Sequence, residues 1–152
     1  MKGQRQALES FAGACRSRGL SVTHQRQAVY EAVLSSHEHP GAEEIFRAVR
    51  ARVPSISRGT VYRTLETLKE VGLVADVSRV KGTARFEAAL DPHHHLVCLG
   101  CNKIMDLHDE SLNRLPVAPR GNGRFEVIGF QIQFVGYCGS CRKVRRKPQH
   151  RT

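Results

Sequence analysis

The fold of this chain is decided by the stretch Ser57-Arg-Gly-Thr-Val-Tyr-Arg-Thr-Leu65 and by the two short β-prone runs that follow it. Ser57 is a suitable N-cap, because its hydroxyl can accept a backbone N–H of the first helical turn. Apolar residues then recur at helical spacing as far as Leu68, and Gly72 ends the pattern. The stretch therefore predicts an amphipathic helix over Arg58–Glu70 whose polar face carries Arg, Tyr and Thr side chains.

Two short strands are predicted directly after this helix. They are Leu73–Val77 and Ala84–Ala88, joined by a polar, basic turn over Ser78–Thr83. The helices predicted upstream are Arg5–Arg18, a helix capped by Thr23 that ends near Ser35, and Ala42–Arg52. Helices that end in a basic β-hairpin are typical of a winged helix-turn-helix domain.

The polar face of the last helix suits the major groove of DNA. An arginine can read guanine edges, and Tyr or Thr can contact a thymine methyl group or a phosphate. Basic residues at the helix start and on the hairpin would bind phosphates and position the domain. The predicted DNA contacts are Arg58, Thr60, Tyr62, Arg63 and Thr67 on the helix and Arg79 and Lys81 on the hairpin. The alternative is an ordinary amphipathic helix with a solvated basic face.

The net charge of +10 favours an anionic partner, and its distribution divides the 152-residue chain. Residues 1–85 carry 14 basic and 8 acidic side chains, whereas residues 86–141 carry 4 and 6. From Arg142 onward there are 6 basic residues and no acidic one. This asymmetry favours a nucleic-acid-binding module followed by a different domain. No apolar run reaches membrane-spanning length and the N-terminus is polar, so we expect a cytoplasmic protein.

Four of the five cysteines form two C-x-x-C pairs, Cys98/Cys101 and Cys138/Cys141. Two such pairs, separated by enough chain for a small domain, are typical of a tetrathiolate zinc site. Two disulfides are the alternative, but the chain shows no secretory signal and is not a short disulfide scaffold. No βαβ pattern surrounds the pairs, which disfavours a thioredoxin-like role. The remaining cysteine, Cys15, lies on the first predicted helix and is expected to be a core residue rather than a reactive thiol.

A second group of ligand-type residues lies in Asp91-Pro-His-His-His-Leu-Val-Cys98. On an extended strand His93 and His95 share a face, and His94 points away. Two imidazoles on one face can form half of a His/carboxylate site, which suits Fe(II), Mn(II) or Zn(II). The candidate partners are Glu87, Asp106 and His39. The alternative is a surface histidine cluster, or histidines that support the zinc site without binding the metal.

In their order and spacing, these motifs resemble the ferric uptake regulator family of bacterial metal-responsive transcription factors. The matching stretches are Val22-Thr-His-Gln-Arg26, His39-Pro40, Thr60-Val-Tyr-Arg-Thr-Leu65, Arg85-Phe86-Glu87, His93-His-His95 and the two cysteine pairs. The resemblance implies an α+β homodimer with an N-terminal winged helix-turn-helix domain and a small α/β dimerisation domain holding a four-cysteine zinc site. The predicted boundaries are 1–88 for the first domain, 89–92 for a hinge, 93–142 for the second domain and 143–152 for a disordered basic tail.

By position, the family's regulatory metal site falls on His39, Glu87, His93, His95 and Asp106. The resemblance implies that Fe2+ or Mn2+ bound there clamps the two domains together and sets the spacing of the recognition helices across the dimer. Many iron regulators carry a further metal site in the dimerisation domain. Its positions here hold Pro92, His94, Asn113 and Phe130, which cannot make a full ligand set. One regulatory site per subunit is therefore expected besides zinc, and a contribution from His94 or His108 stays open.

The resulting hypothesis is a metal-dependent, sequence-specific repressor that binds a palindromic operator. Asp106 looks like the peroxide-sensing branch of the family, whereas Glu87 looks like the iron-sensing branch. Asp106 and the missing further site favour a peroxide sensor, in which Fe2+-catalysed oxidation of His39 or His93 releases DNA. An iron-responsive uptake repressor without peroxide chemistry is the close alternative, and manganese or zinc sensors of the same family stay open.

Two other classes of protein fit less well. A metalloenzyme could use an open His/carboxylate site to activate water, but no residue is clearly placed as a general base. A zinc-ribbon RNA-binding module would need basic and aromatic residues around the ribbon, and residues 86–141 are net acidic. We therefore expect a non-enzyme whose partners are double-stranded DNA and a second copy of the chain, with no membrane and no small organic substrate.

Overall fold

The computed structural model describes residues 2–36, 38–80, 82–88, 93–114 and 130–145, with the backbone alone for 2–8 and 78–80. The chain forms two compact units, Met1–Asp91 and Pro92–Thr152. The helices are α1 (Lys2–Ser17), α2 (His24–Leu34), α3 (Ala42–Arg50), α4 (Arg58–Glu70), α5 (Glu110–Asn113) and α6 (Gly139–Arg145). The strands are β1 (Val74–Val80), β2 (Thr83–Ala88), β3 (His94–Cys98), β4 (Ile104–Leu107) and β5 (Gln133–Gly136). The mixed α+β fold class expected from the sequence is confirmed.

Helices α1–α4 and the β1–β2 hairpin form the N-terminal unit around one apolar core. Two of the helices begin at side-chain caps, since Thr23 accepts from the N–H of Arg26 at 3.2 Å and Ser57 accepts from the N–H of Thr60 at 3.1 Å. The fully buried side chains of the core include Val29, Ile45, Val61, Leu65 and Leu68. The last three lie on α4, so the core fixes that helix with its opposite face toward solvent.

The hairpin is tied to the loop that precedes α3. Strands β1 and β2 pair antiparallel, and β1 reaches Val80, so the turn is shorter than the one predicted from the sequence. The N–H of Phe86 donates to the carbonyl of Pro40 at 3.1 Å, and the Phe86 side chain is buried. This pairing holds the loop against β2 and brings His39 beside Glu87.

A three-stranded sheet with the order β4-β3-β5 is the centre of the C-terminal unit. Strand β3 pairs antiparallel with β4 and parallel with β5. The register places His95 opposite Asp106, and Cys98 opposite Gly136 just before the second cysteine turn. The sheet therefore positions histidines beside a carboxylate at one end of β3 and joins the two cysteine turns at the other.

Some boundaries differ from the sequence expectation. The apolar, β-prone residues before the first cysteine turn predict a strand over Leu96–Leu99. Strand β3 instead begins at His94, so His94 and His95 lie within the strand itself. The apolar sequence before the second cysteine turn predicts a strand over Phe130–Tyr137, of which the structure forms only β5, Gln133–Gly136. Helix α6 was not predicted, and it takes up the first three residues of the segment expected to be a disordered tail.

Several predictions fall on residues that the structure does not describe. These are the hinge at 89–92, the tail beyond Arg145 and a further strand that the apolar sequence predicts over Phe125–Ile128. Within the described ranges, no helix combines the length and the apolar character needed to cross a membrane.

Candidate functional site

The cysteines of the two C-x-x-C pairs meet at one point in the C-terminal unit. All four are free thiols, and their sulfur atoms lie within 4.8 Å of one another. Cys101 Sγ is 3.8 Å from Cys138 Sγ. A tetrahedral zinc ion with Zn–S bonds of about 2.3 Å requires a sulfur–sulfur separation of about 3.8 Å. The donor set and its spacing therefore fit a structural zinc ion.

Backbone N–H groups of the cysteine turns stabilise a thiolate in this cluster. The N–H of Cys138 donates to Cys98 Sγ at 3.3 Å and, with the N–H groups of the first turn, lowers the pKa of Cys98 to about 6. Hydrogen bonding with the sulfur of Cys138, and then with the other two sulfurs, raises the pKa of Cys141 to about 12. Four crowded sulfurs, one of which ionises readily, favour a bound cation.

A second group of ligand atoms converges at the opposite end of β3. His93 Nε2 and His95 Nε2 are 3.1 Å apart. Asp106 Oδ1 lies 3.6 Å from His93 Nε2 and 3.9 Å from His95 Nε2. His95 is fully buried, whereas Asp106 is 43% exposed. Two imidazole nitrogens and a carboxylate oxygen at this spacing suit one divalent ion with hard or borderline character.

Sequence reasoning missed one neighbour of this cluster, Gln131. Its side-chain amide nitrogen lies 3.1 Å from His95 Nδ1. The two ends of a Gln amide are interchangeable by rotation, and with its oxygen toward the ring it accepts the Nδ1–H, which directs Nε2 to a metal. Gln131 and His95 are 36 residues apart, and the parallel pairing of β3 with β5 brings them together. No local spacing in the sequence signals this contact.

The other two histidines of the segment have different surroundings. The ring of His108 lies against that of His93, with centroids 5.2 Å apart. His94 is buried, accepts from the N–H of Ile132 at 3.2 Å and stacks on Phe130. Among the residues that the structure describes, neither His94 nor His108 belongs to a group of three converging ligands.

His39 and Glu87 form a smaller pair in the N-terminal unit. His39 Nε2 lies 3.3 Å from Glu87 Oε2, and both side chains are nearly buried. His39 adopts a φ of 51°, which is uncommon for a residue with a side chain. Arg85 Nη1 donates to the His39 carbonyl at 3.4 Å and to Glu44 Oε2 at 2.7 Å, which holds this conformation. The pair thus offers one imidazole and one carboxylate in a fixed geometry.

Helix α4 presents most of the predicted DNA contacts on its solvent face. The exposed ones are Arg58, Tyr62 and Arg63, and the half-buried ones are Thr60 and Thr67. The Thr67 hydroxyl donates to the carbonyl of Arg63 at 3.0 Å, so it is already engaged within the helix. Only the backbone of Arg79 is described, and Lys81 lies outside the described residues.

A winged-helix unit followed by a small α/β unit with a four-thiol cluster and a His/Asp cluster defines a protein of the metal-responsive regulator class. The model of the ferric uptake regulator family matches residues 17–135. The chain therefore belongs to the ferric uptake regulator family, whose members are transcriptional regulators rather than enzymes.

Individual relatives agree with this assignment. The chain is 32% identical to the peroxide-responsive repressor PerR of Staphylococcus epidermidis over 136 residues, which cover 90% of this chain and 91% of the relative. Among solved structures, the manganese-bound ferric uptake regulator of Pseudomonas aeruginosa is 26% identical with a TM-score of 0.67, covering 81% of this chain and 93% of that one. The Helicobacter pylori ferric uptake regulator shares the fold with a TM-score of 0.74 at 24% identity, covering 91% and 93%.

Proposed function

We propose that this protein is a metal-dependent, sequence-specific transcriptional repressor of the cytoplasm that senses peroxide. The observation that carries the proposal is the convergence of His93, His95 and Asp106, in a chain similar over most of its length to peroxide-responsive repressors. The exposed polar face of α4 supports DNA as the partner, and the four-thiol cluster supports zinc as a structural ion.

The regulatory ligands in this proposal come from both units. His39 and Glu87 are held as a pair in the N-terminal unit, and His93, His95 and Asp106 are held as a cluster in the C-terminal unit. We infer from the family resemblance that all five bind one Fe2+ or Mn2+ ion. An ion that needs ligands from both units favours one orientation of the DNA-binding unit, which couples metal binding to operator affinity.

Bound Fe2+ would supply the one-electron reduction of hydrogen peroxide, whereas Mn2+ would bind without that chemistry. The residues placed to be modified are His39 and His93, whose imidazoles lie in the proposed ligand set. Oxygen added to a ligand imidazole lowers its ability to hold the ion. Loss of the ion then releases the repressor from DNA. His94, buried against Phe130 and Ile132, serves as an internal reference that should stay unmodified.

A homodimer on a palindromic operator completes the proposal. Strand β5 is an edge of the three-stranded sheet, and it carries exposed apolar side chains at Phe134 and Val135. Among the residues that the structure describes, no further strand pairs with this edge, and an edge strand with apolar side chains favours association with a second sheet. Two copies related by a two-fold axis would present two α4 helices to two half-sites.

An iron-responsive uptake repressor without peroxide chemistry is the second candidate. The observation that favours it is the carboxylate at position 87, because Glu87 resembles the iron-sensing branch of the family. Both candidates share the fold, the zinc site and DNA binding, so only the response to peroxide separates them.

The test uses protein loaded anaerobically with Fe2+ or Mn2+ and a DNA site that it enriches from a random-sequence pool. DNA binding is measured before and after dilute hydrogen peroxide, and the peptides of His39, His93 and His94 are analysed by mass spectrometry. Loss of binding in the iron form alone, with added oxygen on His39 or His93, is the expected result. Metal-dependent binding that survives peroxide with unmodified histidines would establish the metal-level sensor. No metal-dependent enrichment of any DNA sequence would overturn both.

A further inference from the structure

The first residue of α4, Arg58, is held in one orientation by two side chains of α3. Its Nε and Nη2 donate to the carboxylate of Glu43 at 3.0 and 2.8 Å. Its guanidinium carbon lies 4.7 Å from the ring centroid of Phe46, which is buried. A bidentate carboxylate and an aromatic surface together fix both the plane and the rotation of the guanidinium.

The contact leaves a specific part of the guanidinium for a ligand. A guanidinium has two bidentate edges, one formed by Nε and Nη2 and the other by Nη1 and Nη2. Glu43 occupies the first edge, and the second edge has no hydrogen-bond partner within the part of the chain that the structure describes. The Arg58 side chain is 61% exposed. A side chain that is exposed but already oriented by two contacts loses less conformational entropy when it binds a ligand than an unrestrained one does.

The Glu43 carboxylate is ionised at neutral pH. The hydrogen bonds from Arg58 hold the pKa of Glu43 below its usual value. Glu43 also lies in the first turn of α3, where the helix dipole favours an anion. A guanine or a phosphate can bind the free Nη1/Nη2 edge without displacing this carboxylate. At the start of a recognition helix in the major groove, the ligand that faces this edge is a base.

We propose that Arg58 reads a guanine in each operator half-site, and that Glu43 is the positioning residue that directs it. The Nη1/Nη2 edge donates to guanine O6 and N7, as an arginine at the start of a recognition helix can. This assignment replaces the phosphate contact expected for Arg58 from the sequence. It rests on the proposed function, because it requires α4 to enter the major groove.

The test is a comparison of base preferences among Mn2+-loaded variants selected on a random-sequence DNA pool. Arg58→Gln should lose the preference for guanine at one position per half-site, roughly tenfold or more for a bidentate contact. Glu43→Gln should weaken the preference at the same position, because the guanidinium is no longer fixed. In the Arg58→Gln background, Glu43→Gln should have no further effect at that position.

A matched control and the contrary outcomes make the test decisive. Glu66→Gln removes the same charge from α4, where Glu66 pairs with Lys69, and should leave the base preference unchanged. One contrary outcome is that Arg58→Gln weakens binding to all sequences alike and reduces the slope of log binding constant against log salt concentration by about 0.9. In that case Arg58 binds a phosphate and the inference is wrong. If Glu43→Gln tightens binding more than Glu66→Gln does and leaves the guanine preference unchanged, the carboxylate only competes with DNA and the positioning role is wrong. A wild-type protein that selects no sequence would instead overturn the proposed function.

Discussion

Gly100 illustrates how one residue without a side chain permits the zinc site. A Cβ atom at this position would lie 2.8 Å from both the Cβ and the Sγ of Cys141. That separation is far below van der Waals contact, so Gly100→Ala should push the two cysteine turns apart. We expect zinc affinity to fall roughly tenfold or more, as when the support of a metal ligand is disturbed. Competition with a chromophoric chelator measures the change.

Gly139→Ala is the matched control for that prediction. Gly139 occupies the other cysteine turn, and a Cβ there would meet nothing within 4 Å among the described atoms. Its zinc affinity should match that of the wild type. Equal affinities for both variants would show that the close approach at Gly100 does not limit the site.

At the residue scale, ligand types could be read from the sequence, but their partners could not. The cysteine pairs and the alternation of His93 and His95 follow from spacing, because two-residue turns and strands have fixed geometry. Gln131 beside His95 and Glu43 beside Arg58 are contacts between distant segments. Such contacts depend on strand register and helix packing, which a local pattern does not contain.

At the scale of elements, the N-cap of α4 has a measurable contribution. The Ser57 hydroxyl accepts from the N–H of Thr60 at 3.1 Å and satisfies one donor of the first turn. Ser57→Ala should lower the free energy of unfolding by about 1 kcal/mol. Urea titration measures it, with Ser17→Ala as the control. The Ser17 hydroxyl donates to the carbonyl of Ala14 at the exposed end of α1 and should matter less.

The ion pair between Glu31 of α2 and Arg52, just after α3, should make the stability of the fold depend on pH. Burial by itself raises the pKa of Glu31, but hydrogen bonds from Gln27 and Arg52 outweigh burial and lower it. The corresponding distances are 2.9 and 2.8 Å. Because the folded pKa is the lower one, this contribution is present above the ordinary value of 4.5 and is lost as pH falls through the folded pKa.

Glu31→Gln should therefore destabilise the protein by about 1 kcal/mol at neutral pH, a modest figure because Arg52 is largely exposed. The difference from wild type should shrink in acid. Thermal unfolding at neutral pH and in acid measures this. Glu110→Gln is the control. It breaks an ion pair with Arg114 in which both side chains are exposed, so it should change stability at neither pH. If Glu31→Gln lowers the stability equally at both pH values, Glu31 is not ionised in its contact with Arg52.

Sequence periodicity predicted the helices of the N-terminal unit better than the elements around the metal ligands. In helices α2–α4 the capping residues and the apolar spacing indicate the same boundaries, and the apolar face of each helix is buried as expected. Helix α6 was missed because Gly139 and Ser140 are weak helix formers. It begins at the second cysteine turn, where the N–H of Arg142 donates to the carbonyl of Cys138 at 2.8 Å. Helix α6 is therefore stabilised by the cysteine turn from which it begins, and not by the helix propensity of its first residues.

At the scale of the whole molecule, the two units differ in charge: residues 1–85 are net basic, and residues 86–141 are slightly acidic. The N-terminal unit combines a basic sequence with a large apolar core, as expected of a DNA-binding unit that folds around its own helices. The described part of the C-terminal unit is a small sheet with exposed apolar side chains and two ligand clusters. A sheet of this size gains stability from a metal and from association.

The proposed association of two copies through β5 leads to the last prediction. Val135 is 60% exposed on this edge strand. Val135→Glu places a charge where a second sheet would pack, and it should raise the dimer dissociation constant roughly tenfold or more. Operator affinity should fall with it, since a monomer presents one α4 helix to a palindrome. Val144→Glu is the control, because Val144 lies on α6, outside the sheet, and is 73% exposed. Sedimentation equilibrium measures the dimer, and a wild-type monomer that binds a palindromic site as tightly as expected of a dimer would contradict the proposed assembly.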